Sequence, residues 1–122
     1  PHAVASSAHS RRAETMSNDG TEEMLQVQIF LDEDDTHDGK PMHEYMLRYL
    51  MHHDIHGATL FRAAMGFGSQ HHLHAPERLG ALDERPLMIT FVDEPSKIRP
   101  ILPHFRELLT DGIIITHGVE RW

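Results

Sequence analysis

Three histidines stand close together at His71, His72 and His74, at the end of the stretch GATLFRAAMGFGSQHHLH from Gly57 to His74. Neutral imidazole suits zinc, nickel or copper, and its proton exchanges near neutral pH. In an extended chain His72 and His74 share one side, which makes them a candidate pair of zinc or nickel ligands. Arg62, upstream in the same stretch, has three readings: an exposed-face residue, an ion-pair partner between subunits, or a ligand for an anion. Gly66 and Gly68 flank Phe67, and two glycines so placed predict backbone angles that other residues resist. The chain holds 12 histidines in 122 residues, spread along its length rather than gathered in a terminal tag.

Other constellations carry less chemistry. With no cysteine in the chain, disulfides, thiol catalysis and thiolate metal sites are excluded. No nucleophile elbow, P-loop or H-E-x-x-H motif is present, and Gly66-Phe67-Gly68 lacks the third glycine of a dinucleotide fingerprint. With 12 His and 19 acidic residues, His–carboxylate pairs arise by chance. The residue types therefore point away from an enzyme. His52 and His56 have i,i+4 spacing, but Gly57 stops the helix that would align them. The acidic run Asp32–Asp38 fits a calcium loop at Asp32 and Asp34 only. Thr36 is a weak ligand and His37 replaces the required glycine, so the run reads as a solvated turn.

A net charge of −8 with scattered arginines argues against nucleic-acid binding. No apolar run approaches the ~20 residues of a membrane span, so direct membrane insertion is not expected. No signal-peptide core is seen, and a cytoplasmic location is the expectation. Residues 1–23 lack apolar periodicity and read as a disordered or tag-like tail, with Met16 or Met24 as the biological start. Residues 24–122 read as one domain.

Within that domain, Met24–Leu31 alternates, with Leu25, Val27, Ile29 and Leu31 on one side and Gln26, Gln28 and Phe30 on the other, which predicts a strand. Pro41–Asp54 is a helix whose core face carries Met42, Tyr45, Met46, Tyr49, Leu50 and His53. The histidines near its end favour the C-terminal dipole. Gly57–Met65 is a second strand, and Gly66–Arg85 a loop too long for an ordinary hairpin. Pro86–Val92 is apolar on both faces, which predicts helices on one side and a partner subunit on the other. Phe30 and Arg62 are expected on that partner-facing side, in a homotrimer with inward-facing sheets. Asp93–Asp111 is a helix capped by Asp93 or Glu94, kinked or divided by Pro100 and Pro103, and ended by Gly112. Ile113–Val119 closes the order. The fold class is α+β, a ferredoxin-like βαββαβ arrangement with a four-stranded antiparallel sheet and two helices on one face.

The strings GKPMHEYM at Gly39–Met46, GATLFRAAMGFGSQHHLH and PLMITFVDEPSKI resemble the domain of unknown function 190 family of PII-like signalling proteins, over about residues 24–121. The most specific part is GAT-x-x-R-x-x-x-GFG followed by Leu73–His74. The resemblance implies a ferredoxin-like fold, a homotrimer, and an adenine nucleotide bound at subunit junctions. It also implies a loop between the second and third strands that touches a partner protein, often a membrane transporter. In such a trimer Arg62, Gly66, Phe67, Gly68 and His74 are the expected effector site, with backbone N–H groups at the glycines and His74 as a pH-sensitive donor. Ser69, Gln70, His71, His72 and Leu73 form the expected partner-binding loop. His72 stands where an arginine is common in the family. A histidine-rich trimer binding a divalent metal is the alternative reading.

Overall fold

A computed structural model describes residues 20–67 and 85–122. The chain runs β1 (Glu22–Asp32), β2 (Thr36–His37), β3 (Lys40–Pro41), α1 (Met42–His52), β4 (Thr59–Arg62), β5 (Pro86–Asp93), α2 (Pro95–Ile98), α3 (Leu102–Leu108) and β6 (Ile113–Arg121). The four long strands form one sheet in the order β4-β5-β1-β6. Every neighbouring pair is antiparallel. This is the ferredoxin-like α+β order, with a small β2–β3 hairpin added before α1.

Alternation along β1 places Val27 and Ile29 on the helix side, both with no exposed surface. Ile89 on β5, Met46 and Leu50 on α1, Ile98 on α2 and Phe105 on α3 complete that core. The first strand starts at Glu22, two residues before the predicted Met24, because β6 is long enough to pair Glu22 with Arg121. An ion pair joins those two side chains. The second strand keeps only Thr59–Arg62 of the predicted Gly57–Met65, since β5 supplies ladder partners for those residues alone.

The prolines divide the second helical region. Pro100 has no N–H to continue α2, and Pro103 opens α3 near its first turn. Neither Asp93 nor Glu94 caps α2 through a side-chain bond to its interior. Instead the buried Asp93 carboxylate accepts from the amides of His56 at 2.9 Å and Glu94 at 2.8 Å, with Lys97 Nζ at 3.2 Å. Burial pushes this carboxyl up, but the two amides and Lys97 together outweigh it and hold it below 3.8. Gly112 lies beyond the end of α3. A Cβ there would stand 2.7 Å from the Phe30 carbonyl oxygen, so the turn into β6 needs glycine for space.

The helices cover one face of the sheet. On the other, the register aligns Phe61 with Met88, Met88 with Phe30, and Phe30 with Ile113. Phe30, Phe61, Val92, Ile113 and Ile115 are exposed there. Arg62 is not on that face. It pairs with Leu87, whose side chain is buried under the helices. The expectation that Phe30 and Arg62 share a face is corrected: Arg62 is one residue out of phase with Phe61, and strand side chains alternate.

Candidate functional site

The ends of β1 and β4, the start of β5 and the start of α1 meet at one end of the sheet. The chain leaves β4 and returns to β5 there. Backbone bonds tie the two sides: Ala63 N–H to Pro86 O at 3.0 Å, and Glu33 N–H to Arg85 O at 2.9 Å. The Asp32 carboxylate accepts from the amides of Asp34 and Arg85, both at 2.8 Å. An aspartate accepting from an amide two residues on is a familiar turn device. Here it also grips a residue 53 positions away. The acidic run thus turns the chain from β1 into β2, and through Asp32 it ties the end of β1 to the start of β5.

Arg62 Nε donates to Glu33 Oε1 at 2.9 Å, and its side chain remains 61% exposed. It lies at the end of β4, beside the start of β5. Gly66 has no left-handed backbone angle, contrary to the expected strain. Its constraint is space, because a Cβ would come within 3.0 Å of Pro86 Cγ. Phe67 and Met65 are both exposed beside it. Arg62, Gly66 and Phe67 are thus brought to one place. Gly68, Ser69, Gln70, His71, His72, Leu73 and His74 lie outside the described residues, and the expected metal ligands His72 and His74 lie outside with them. Among the described residues, no group of three or more His or acidic side chains has the geometry to hold a metal ion.

Sequence reasoning missed Glu33, Asp32 and Arg85 as parts of this base. An acidic pair ending a strand was the only available signal. It also missed an aromatic band on the helix layer. His37 contacts Tyr45 with ring centroids 4.3 Å apart, and His53 stacks on Tyr49 at 3.8 Å. The Tyr45 hydroxyl lies 2.9 Å from His104 Nε2. His53 is exposed rather than part of the core face. The Nδ1 atoms of His52 and His53 each lie 2.8 Å from a carbonyl one turn back, at Arg48 and Tyr49. That matches the expected role at the helix C-terminus. A hollow beside the band is lined by His37, Lys40, Glu44, Tyr45 and Arg48.

Solved proteins share this architecture. CPII from Thiomonas intermedia K12, in a structure bound to ADP, AMP and acetate, aligns with a TM-score of 0.61 at 16% identity, covering 84% of this chain and 91% of that one. A PII-like signaling protein from Thermus thermophilus aligns at 0.56 and 14% identity, over 82% of this chain and 90% of that one. Bacillus subtilis GlnK in complex with ATP aligns at 0.50 and 17% identity, over 80% and 84%. The fold is therefore that of PII-like proteins.

Sequence narrows this further. A UPF0166 protein of Aquifex aeolicus is 29% identical over 94 residues, 77% of this chain and 89% of that protein. The family model DUF190, described as "Uncharacterized ACR", matches residues 24–121, and the chain belongs to that family.

Proposed function

We propose that this protein is a PII-like regulator, not an enzyme. It assembles as a homotrimer, binds an adenine nucleotide or similar small anion at the base of the 66–85 loop, and signals through that loop to a protein partner such as a membrane transporter. The observation that carries the reading is Arg62. Its Nε is held by Glu33, and its side chain is largely exposed where β4 leaves the sheet. A guanidinium fork matches phosphate oxygens. Proteins of the same fold have been solved with ADP, AMP and ATP. The apolar open face of the sheet supports association with further copies, which would bring loop bases of neighbouring protomers together.

In this reading Arg62, Gly66, Phe67, Gly68 and His74 contact the effector, and residues Ser69–Leu73 contact the partner. No helix among the described residues is long and apolar enough to cross a membrane. Calorimetry with ATP, ADP and AMP tests the assignment. Binding is expected for at least one, weakened by Arg62→Ala with the assembly intact. Hydrogen exchange should slow across Gly68–Leu82 when that nucleotide binds. Unchanged affinity in Arg62→Ala removes Arg62 from the site.

A further inference from the structure

Most of the open sheet face is apolar, but a slanted row of polar side chains crosses it, passing beside Gln28, which lies directly opposite Thr90 while Gln26 lies opposite Val92. His117 on β6 is paired directly with Gln26 on β1, and its Nε2 lies 2.7 Å from Gln26 Oε1. Gln26 Nε2 donates in turn to Thr90 Oγ1 on β5 at 3.3 Å. Thr59, opposite Thr90 on the edge strand β4, carries a second hydroxyl to the far side of the sheet. The chain of bonds has a direction. An amide oxygen only accepts, so His117 Nε2 donates, and in that tautomer Nδ1 is an acceptor with no bond to another described residue. At the other end the threonine hydroxyl has accepted and keeps its proton to donate. The row therefore ends in an acceptor at the β6 edge and a donor towards the β4 edge.

We propose that the Thr90–Gln26–His117 row sets the orientation in which copies of this chain associate, the Nδ1 end of one protomer meeting the hydroxyl end of the next. This rests on the reading of the open face as a contact between copies. Apolar contact alone is non-directional. Polar groups buried in such a contact favour the arrangement that pairs them, because an unpaired buried donor or acceptor is costly. End to end, a two-fold axis would bring like ends together. A rotation that joins unlike ends is heterologous, and it closes into a ring when the angle allows. Gln28 does not compete for the row, since its Nε2 is directed at Met88 Sδ on its own sheet.

Sedimentation velocity at micromolar concentration tests this on the full chain at neutral pH. The wild type is expected to be trimeric. Thr90→Val and His117→Phe should each weaken the trimer by about fivefold or more per interface, the worth of a hydrogen bond. Thr90→Ser keeps the hydroxyl and should behave as wild type, and circular dichroism checks that each variant folds. A trimer unchanged in Thr90→Val and His117→Phe overturns the role of the row and leaves the trimer standing. A wild type that stays monomeric overturns the trimer, and the row with it.

Discussion

The two faces of the sheet are built from alternate residues of the same strands, yet they end in opposite environments. Val27, Ile29 and Ile89 are fully buried beneath the helices, whereas Phe61 is 53% and Ile113 58% exposed on the far side. Among the described residues the helices all lie on one side, because both crossovers bring them there. Stability therefore resides on one face, and the proposed association falls on the other. Substitutions on each should separate cleanly.

The largest effect belongs to the helix side. Phe105→Ala removes a ring with no exposed surface from between the helices and the sheet. It should cost about 3–5 kcal/mol in denaturant unfolding. Gly112→Ala comes next, because the new Cβ would meet the backbone oxygen of Phe30 rather than a side chain that could move. About 1–3 kcal/mol of destabilisation is expected, the range for overpacking.

Asp93 adds a pH signature to the covered side. Its carboxyl is held below its ordinary 3.8 in the folded chain. A depressed folded-state value means the unfolded chain binds the proton more readily. The contribution is therefore complete above the ordinary value and is lost as pH falls through the lower folded one. Asp93→Asn should destabilise by about 1–3 kcal/mol at neutral pH, the cost of disturbing a buried charged acceptor. It should also flatten the fall in stability below about pH 4. An acid limb identical to wild type would remove Asp93 from this role. The smallest effect on chain stability lies on the open face. Phe61→Ser should change monomer unfolding by less than about 0.5 kcal/mol, as exposed substitutions do, while weakening association.

Much of this division was legible in the sequence. The alternation of Val27 and Ile29 with Gln26, Gln28 and Phe30 announced a two-sided strand, and Pro100 and Pro103 announced the divided helix. Strand phase at β4 was not legible, because a four-residue strand carries too few alternations to say which side Arg62 takes. Contacts made across long separations were also hidden. Nothing local in DEDD reveals that Asp32 binds the Arg85 amide, or that Glu33 holds Arg62. Asp93 looked like a helix cap because acids before Pro95 often are. Its reach to His56 depends on how β5 and the end of α1 come together. The glycine constraints were half legible: Gly66 is needed, but for room beside Pro86 rather than for an unusual backbone angle.

Light scattering on a sizing column tests the division between the faces most directly, applied to the wild type and to Phe61→Ser combined with Ile113→Ser. The wild type should elute with about three times the 14.0 kDa chain mass, and the double variant should elute folded at the mass of one chain. A wild type that stays monomeric at micromolar concentration, or a double variant that remains trimeric, would contradict the assignment of the open face to association.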